Sequence, residues 1–353
     1  RLLLPCALLS LVALLFASLP LLLDPRPPRP LEWHVDPAHR QLVHAHVRSV
    51  LGGACRRRRT RQDLLALLPD ASKNTRPLLW RDDPLPEELF LYPPPFGFKG
   101  LRGRVADLLR LLPESSSRAS PGECSRCVVV GNGGILRGLE LGPLIDQFDT
   151  VIRLNSGPLD DFVLDVGNRT GVRLSYPEST PSPWADSDPS TVFVAVVFKG
   201  VDLSWISAMI QKVAVPLWDR LFFWQKVPAH VAIESGRFRL LNPDVIRETA
   251  LELLKYPPPR PRLWGWDPNV PTLGVTAITL ASLLCDQVSV AGFGYALSQQ
   301  GAPLHYYDNL AMDSILRETM HDVGRETELL RRLVRAGTIA DLTGGIVSAG
   351  RDT

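Results

Sequence analysis

Histidine and cysteine are both scarce in this chain, which has 7 and 5 of them among 353 residues. Cys124 and Cys127 form a CxxC pair, but no second CxxC or HxxxH follows them, and a structural zinc site needs such a further ligand pair. A β-branched run, 128–130, comes directly after Cys127, where a thioredoxin-type redox motif would open a helix. No internal repeat is visible, so the pattern does not indicate a repeat architecture.

Charge is missing from residues 2–23, which are apolar apart from two prolines and two serines. This length matches the roughly 20 residues that cross a bilayer as a helix, and it exceeds the roughly 7–15 residues of a signal-peptide core. The run ends in a Pro- and Arg-rich stretch, 24–30, typical of a stiff spacer. We predict a signal-anchor over residues 1–23, a stem and N-terminal cover over 24–90 and a main lumenal region over 91–353; a cleaved signal peptide is the alternative.

An oxidising lumen agrees with the cysteine count outside the anchor. Four cysteines remain there, and they allow two disulfides in three pairings: Cys55, Cys124, Cys127 and Cys285. Asn168 begins an Asn-Arg-Thr sequon and is predicted to be an N-glycosylation site. The basic run 56–59 is interpreted as a solvated face, and the predicted location removes nucleic acid as a partner.

Short apolar runs alternate with helical patterns through most of the chain. Strands are predicted at Val128–Val130, Thr150–Leu154, Val172–Ser175, Val192–Phe198, Arg237–Leu241 and Gln287–Ala291. Helices are predicted at Pro37–Leu51, Thr60–Leu68, Val105–Leu112, Leu139–Phe148, Trp205–Lys212, Asp244–Leu254, Thr272–Cys285 and Glu318–Ala336. This alternation predicts an α/β fold with a central, mostly parallel sheet flanked by helices.

Glycine-containing turns recur along this pattern, at Gly131–Gly134, Pro271–Gly274 and Gly292–Tyr295. Glycine lets a backbone approach a ligand closely, and a helix N-terminus favours a phosphate. As a dinucleotide fingerprint the first turn fails, because Leu136 stands where the third glycine belongs; a Rossmann-type oxidoreductase is therefore disfavoured. Asn155 is predicted at a strand end that meets ligand. Together these features predict a phosphate-bearing donor at one edge of the sheet.

Two histidines, His305 and His321, follow these turns in a half of the chain that otherwise has only His230. Imidazole exchanges a proton near neutral pH, so the two residues are candidates for base catalysis beside the bound phosphate. Glu326 lies about 140° from His321 on an ideal helix, and we therefore predict that it braces the helix and does not orient the imidazole.

A DxD pattern, Asp186–Asp188, resembles the carboxylate pair that holds a metal and a nucleotide-sugar in many glycosyltransferases. It lies in a Pro/Ser-rich loop before a predicted strand and not after a strand end. We therefore expect no metal at this site.

Four segments, in order, resemble the motifs of the animal sialyltransferases, glycosyltransferase family 29. A large motif runs from Cys127 to Asn155, and a small one runs from Asn269 to Gly294. A third motif is His305–Asp308, and a very small one runs from His321 to Glu326. The resemblance extends from about residue 33 to residue 346.

This resemblance implies a variant GT-A, Rossmann-like fold and an inverting transfer of sialic acid that needs no metal or other cofactor. The donor would be CMP-sialic acid, and the acceptor would be a terminal β-galactose on a glycolipid such as lactosylceramide or, alternatively, on a glycoprotein glycan. The protein would be a single-pass type II Golgi membrane enzyme whose residues 91–353 are catalytic. A homodimer or a complex with other glycosyltransferases is left open.

The resemblance also implies individual roles. His321 would be the base and His305 would contact the donor phosphate. The donor would also be bound by a set of polar and small residues: Asn132, Asn155, Thr272, Gly274 and Gly292. Cys127 would pair with Cys285, and Cys55 with Cys124.

Aromatic stretches at Trp205, Leu221–Trp224 and Trp264 have two interpretations: a cradle for a lipid-linked acceptor or membrane surface, and ordinary core. The core interpretation is favoured. At the level of function, an inactive membrane-tethered binding protein with the same fold is a further alternative, disfavoured because both motif histidines are present.

Overall fold

Strands form where the sequence has its short runs of branched apolar residues. The computed structural model describes residues 34–67, 75–115, 124–259, 269–294, 303–309 and 321–348. Within these ranges the strands are β1 (Leu78–Leu79), β2 (Arg126–Val130), β3 (Thr150–Leu154), β4 (Val172–Ser175), β5 (Val192–Ala195), β6 (Phe238–Leu241), β7 (Gln287–Ala291) and β8 (Ala340–Asp341). Three predicted strands, β3, β4 and β7, are confirmed residue for residue.

Helices fill the connections between these strands. They are α1 (Pro37–Gly52), α2 (Arg59–Leu67), α3 (Arg102–Leu109), α4 (Gly142–Ile145), α5 (Val163–Val166), α6 (Gly200–Gln211), α7 (Leu217–Arg220), α8 (Pro243–Arg247), α9 (Leu273–Leu284), α10 (Val323–Arg335) and α11 (Gly345–Ser348). A π-helical segment, Glu248–Leu253, continues α8. Single 3₁₀ turns supply the remaining helical pieces of the described residues.

One sheet joins all eight described strands in the order β1-β6-β5-β4-β3-β2-β7-β8. Every neighbouring pair is parallel except β1 with β6. The predicted α/β fold with a mostly parallel sheet is therefore confirmed. Because β3 lies on one side of β2 and β7 on the other, the strand order reverses at β2, and such a switch point is where open α/β sheets form a ligand crevice.

Both faces of the sheet are covered, as parallel strands require. On one face α9 packs across β2, β3, β4 and β7, with its residues 275–282 buried. On the other face α3 and α6 bury Val105, Leu108 and Trp205 against β5 and β6, while α1 and α4 pack near β2 and β3. The core interpretation of Trp205, which is fully buried, is confirmed.

Both disulfides that the resemblance implied are present. Cys127 of β2 pairs with Cys285 at the end of α9, and Cys55 pairs with Cys124 just before β2. The Cys127–Cys285 bond fastens α9 to the central strand of the sheet, so the large and small motif segments are covalently joined.

The predicted helix at Leu139–Phe148 is wrong over most of its length. Only the four residues of α4 are α-helical there. Gly138 and Glu140 both have positive φ angles, of 79° and 54°, so the backbone turns at these residues and cannot carry a helix through them.

The helix predicted at Glu318–Ala336 begins later in the structure. Asp322 is the N-cap of α10, and its side chain accepts a hydrogen bond from the amide of Arg325. His321 therefore precedes the helix, and the helical angle assumed between His321 and Glu326 does not apply. Residues 318–320 lie outside the described part of the chain.

The described residues, from His34 onward, form one compact unit, and β1, which precedes residue 91, is part of its sheet. The predicted anchor at 1–23 and the spacer at 24–30 lie outside the described residues. Among the residues that the structure does describe, no helix has the length and apolar character needed to cross a bilayer.

Candidate active site

A cavity of about 740 Å³ opens at the carboxyl ends of the parallel strands. Its walls come from the segments that follow β2, β3, β4, β5 and β7, together with the N-terminus of α9. All seven residues predicted from the sequence to bind donor or to catalyse line this one cavity: Asn132, Asn155, Thr272, Gly274, Gly292, His305 and His321. Parallel strands expose their carboxyl ends at one edge, which explains why residues almost 190 positions apart meet there.

The glycines of the first turn allow close contact with other backbone segments and not primarily with a ligand. A Cβ atom on Gly133 would lie 2.5 Å from the carbonyl oxygen of Gly292, and one on Gly134 would lie 1.9 Å from that of Pro303. Gly292 itself has a φ of 73°, a conformation that side-chain-bearing residues rarely adopt. The turn therefore serves as the junction at which three chain segments meet.

The backbone amides of this turn are already engaged. Gly131, Gly133 and Gly134 donate to the carbonyls of Ala291, Gly292 and Leu304. A 3₁₀ turn, Gly134–Leu136, follows them and not the α-helix that was expected. The expectation that this turn opens a helix whose N-terminus favours a phosphate is therefore wrong, and its three glycine amides are engaged with other backbone groups.

The helix N-terminus that does face the cavity belongs to α9. Thr272 is its N-cap, and Leu273 and Gly274 form its first turn. The first amides of a helix have no partner inside the helix, so this turn provides the positive helix end that was expected at Gly131.

Glu326 occupies part of that helix end. One carboxylate oxygen accepts from the amide of Thr272 and the other from its hydroxyl, both at 2.6 Å. Burial raises the pKa of Glu326, an effect that its two hydrogen bonds with Thr272 oppose. The prediction that Glu326 has a bracing role agrees with this geometry. The residue that Glu326 holds is Thr272, the N-cap of α9, and not a residue of its own helix.

His305 is held in the cavity wall by the first turn. Its segment forms an antiparallel bridge with Gly133, and the amide of Tyr306 donates to the carbonyl of Asn132. The Nδ1 atom of His305 lies 2.6 Å from a carboxylate oxygen of Asp308, and its ring stacks on Tyr307 at a centroid distance of 5.1 Å. Since a carboxylate accepts the Nδ1 proton, Nε2 is the atom that can donate to an anionic ligand when the ring is protonated.

A backbone carbonyl fixes the tautomer of the neutral His321 ring. Its Nδ1 atom lies 2.7 Å from the carbonyl oxygen of Val270. A carbonyl oxygen can only accept, so Nδ1 carries the proton and Nε2 of the neutral ring has a free lone pair. This is the arrangement that a general base requires.

Asn155 is presented to the cavity by a strained turn after β3. Its φ is 52°, a region in which asparagine is among the more tolerated side chains. Its side-chain oxygen accepts a hydrogen bond from the hydroxyl of Ser179. Its backbone carbonyl oxygen accepts one from the guanidinium of Arg173. The amide NH2 group is therefore the part of the Asn155 side chain suited to donate to a ligand.

The DxD pattern is divided between two structural roles. Asp186 is buried, and its carboxylate accepts from Arg173 and from the hydroxyl of Thr170. Asp188 instead accepts from the amide and hydroxyl of Ser190, which lower its pKa. Within the described residues, no group of three or more His, Cys, Asp or Glu side chains could hold a metal ion. Metal independence remains a prediction.

Thr170 is also the third residue of the predicted sequon. Its hydroxyl is buried in this network, while Asn168 itself is exposed. Glycosylation of Asn168 remains a prediction.

A cationic group at the cavity edge was missed by the sequence analysis. Lys199 follows β5 and forms ion pairs with Glu178 and Asp202, and its Nζ atom lies 3.7 Å from the ring centroid of Trp224. Tyr176 and Phe198 line the same wall. Position after the carboxyl ends of β4 and β5 was the available signal for Tyr176, Phe198 and Lys199, whereas Trp224 belongs to the aromatic stretch Leu221–Trp224, for which the core interpretation was favoured.

Asp202 should make stability depend on pH. Burial raises its pKa to about 6, so the folded state favours its protonated form. The contribution of Asp202 to the free energy of unfolding is therefore fully present below its pKa in the unfolded chain, which is near 4. This contribution is lost as the pH rises through the folded-state pKa of about 6. We expect the stability of Asp202→Asn relative to the wild type to increase between pH 4 and 7, by at most about 3 kcal/mol.

Urea unfolding at a series of pH values checks this, with Asp161→Asn as the control for losing an exposed carboxylate. Asparagine can still accept from the amides of Phe198 and Lys199, as one Asp202 oxygen does. A stability difference that stays constant from pH 4 to 7 would show that burial of Asp202 has no such effect.

Comparisons with known proteins agree with the site. The family model of glycosyltransferase family 29 (sialyltransferase) matches residues 78–338. The chain is 43% identical over 316 residues to lactosylceramide alpha-2,3-sialyltransferase of Rattus norvegicus, covering 89% of this chain and 82% of that protein. It is 40% identical over 257 residues to CMP-N-acetylneuraminate-beta-1,4-galactoside alpha-2,3-sialyltransferase of Homo sapiens, covering 72% and 67%.

A crystal structure of a mammalian sialyltransferase in complex with Gal-beta-1-3GalNAc-ortho-nitrophenol matches with a TM-score of 0.61 at 22% identity. The match covers 82% of this chain and 98% of that one. This likeness shows the fold and confirms the expected GT-A-like class.

Proposed function

Because the chain belongs to glycosyltransferase family 29, the sialyltransferases, we propose that it transfers sialic acid from CMP-sialic acid to the 3-hydroxyl of a terminal β-galactose. The observation that carries the proposal is the single cavity that contains all seven predicted residues. In it, the hydrogen bond from Nδ1 of His321 to Val270 leaves Nε2 as a base.

The acceptor that we propose is lactosylceramide, which would give the simplest ganglioside. Relatives named for this acceptor are 43% identical over 89% of the chain in several species. Relatives named for β-1,4-galactosides reach 40% over 72%. The longer and stronger match supports the glycolipid, and an α-2,3 transfer to glycoprotein galactose is the alternative.

Donor binding is assigned to the side chains around the first turn. Asn132 and Asn155 would hydrogen-bond the CMP part, with Thr272, Gly274 and Gly292 beside it. The amides of Gly131, Gly133 and Gly134 donate to other backbone groups. The negative charge of the leaving phosphate would therefore be stabilised by side chains and by the N-terminus of α9. Protonated His305 would supply the main stabilisation, as a positioned donor does when charge develops.

The acceptor is activated by His321. As the bond between sialic acid C2 and the phosphate oxygen breaks, the galactose 3-oxygen attacks C2 from the opposite face, and its proton passes to Nε2 of His321. One bond forms and one breaks at C2, so the configuration inverts. CMP leaves with the bonding electron pair on its phosphate.

No metal is assigned to this step. CMP-sialic acid carries one phosphate, so there is less need for a divalent ion than with a diphosphate donor. The carboxylate of Asp186 is engaged with Arg173 and Thr170, which supports a structural role for it.

A location in the Golgi membrane completes the proposal. Residues 1–23 would be a signal-anchor in type II orientation, residues 24–90 a stem and cover, and residues 91–353 the lumenal catalytic region. The two disulfides support an oxidising compartment.

Transfer assays with a panel of acceptors test the proposal. We expect the full chain, supplied with CMP-sialic acid, to give the highest kcat/KM with lactosylceramide and to retain activity in EDTA. Sialidases of known linkage specificity would identify the product as α-2,3. Greater activity on glycoprotein galactose would favour the alternative acceptor, and reduction of a nicotinamide cofactor without sialyl transfer would favour an oxidoreductase.

A further inference from the structure

Exposed apolar side chains are concentrated in one short segment, 213–224. We call six of its residues the apolar ridge: Val213, Leu217, Trp218, Leu221, Phe222 and Trp224. Their exposed fractions range from 53% to 79%. Half of the exposed large hydrophobic side chains in the described part of the chain belong to this ridge. Single exposed apolar residues are ordinary, whereas a dense group of them marks an interaction surface. The core interpretation of Leu221–Trp224 is therefore wrong for Leu221, Phe222 and Trp224.

The backbone under the ridge is fixed at several points. Arg220 Nε donates to the carbonyl of Val215, a buried residue. At the far end, the indole of Trp205 donates to the carbonyl of Pro228 over 2.8 Å. Phe223 packs against the core. These contacts anchor the segment to the protein while the six ridge side chains stay exposed.

The ridge continues into the active-site cavity. Trp224 belongs to the ridge and also lines the cavity. The centroid of its ring lies 6.1 Å from that of Tyr176, and the ammonium group of Lys199 lies over the same ring. Tyr176 and Lys199 are cavity residues themselves. Whatever covers the ridge is therefore next to the mouth of the site.

The charges around the ridge are mainly positive. Within residues 212–226 there are three basic residues, Lys212, Arg220 and Lys226, and one acidic residue, Asp219. Tryptophan and phenylalanine flanked by lysine and arginine are typical of segments that lie in the interface of a lipid bilayer. The cations can meet lipid phosphates while the apolar groups enter the acyl boundary.

We propose that the apolar ridge docks on the bilayer that contains the glycolipid acceptor and so brings the cavity mouth to the head-group layer. The inference rests on the proposed function, since it assumes an acceptor whose two-sugar head group is held at a membrane. Such a head group is short, so the base can reach it only if the cavity opens close to the bilayer surface. The ridge supplies this proximity.

A triple variant, Leu217→Ser, Trp218→Ser and Phe222→Ser, tests the proposal, because none of these side chains lines the cavity. The full chain is reconstituted in phosphatidylcholine vesicles and assayed with lactosylceramide in the same bilayer and with a water-soluble lactoside. Loss of three apolar contacts should lower kcat/KM for the bilayer acceptor at least about tenfold. The value for the soluble lactoside should stay unchanged.

The matched control is Leu42→Ser with Leu91→Ser, which removes two exposed leucines that do not belong to the ridge. Equal losses on both acceptors, or none on the bilayer acceptor, would overturn the docking role. A wild-type chain inactive on both acceptors would instead overturn the proposed function. The alternative is that a second copy of the chain covers the ridge, and light scattering of detergent-solubilised protein tests this. If the triple variant has a lower mass than the wild type but no selective loss of activity on the bilayer acceptor, the ridge is assigned to a second copy.

Direct insertion is measured by fluorescence quenching with brominated phosphatidylcholine. We expect the wild type to be quenched more strongly than Trp218→Phe, because the exposed indole of Trp218 would contribute most to contact with lipid. Equal quenching of the two proteins would contradict insertion at this residue.

Discussion

We expect His321→Ala to lower kcat by about 10²–10⁴-fold, the contribution typical of a general base, while the affinity for CMP stays nearly unchanged. The reason is the geometry at Nδ1, where the hydrogen bond to the carbonyl of Val270 fixes the neutral ring in the tautomer that has a free lone pair on Nε2. Kinetics with saturating CMP-sialic acid measure kcat, and calorimetric titration with CMP measures the affinity for CMP.

A second variant separates the base from its hydrogen bond. The side-chain amide of His321→Asn can still donate to the carbonyl of Val270, but it has no basic nitrogen. If His321 is the base, asparagine and alanine should be equally inactive. Recovery of turnover in the asparagine variant would show that the residue acts by bracing the Val270 segment. His230→Ala, at an exposed histidine, controls for loss of an imidazole, and a similar loss of CMP affinity in His321→Ala would also contradict the assignment.

We expect Asp186→Ala to lower the free energy of unfolding by about 3–5 kcal/mol, the cost of removing one partner from a buried ion pair. The guanidinium of Arg173 is fully buried beside Asp186, and the nearby guanidinium of Arg153 is so buried that its pKa falls to about 10. Without the carboxylate, two buried cations would lose their shared counter-charge. Urea unfolding followed by circular dichroism measures the change, and Asp186→Asn provides a milder variant should alanine prevent folding.

Asp188→Ala is the matched control, because it removes the other carboxylate of the same DxD pattern. Asp188 is only partly buried and bonds Ser190, so we expect a loss of at most about 1 kcal/mol and unaltered catalysis. If the pattern held a catalytic metal, both variants would lose activity without losing stability, and EDTA would inhibit the wild type.

The apolar runs were sufficient to predict six of the eight described strands of the sheet. β3, β4 and β7 were located residue for residue, and in each of them at most one residue is not buried. β1 and β8 are only two residues long, and they exist because neighbouring strands pair with them. No local pattern of that length can be separated from loop.

The cavity residues were predictable as a set but not in their detailed roles. Strand ends and the family resemblance identified Asn155, His305 and His321. The contacts that define how each works come from distant segments, such as Val270 at His321 and Ser179 at Asn155. The engaged amides of the first turn were missed for the same reason, since their acceptors lie at the end of β7, directly after it and in the segment before His305.

The bond between Cys127 and Cys285 also has a consequence for biosynthesis. A chain made from its N-terminus exposes Cys55 and Cys124 early, and 69 residues separate them, whereas Cys127 must wait for a partner 158 residues further on. Strands β2 to β6 follow one another in the sheet as they do in the chain, but β7 and the two histidines are synthesised after all of them. The native bond of Cys127 can therefore form only after α9 and Cys285 have been synthesised, so the covalent link between the two motif segments is made late in synthesis.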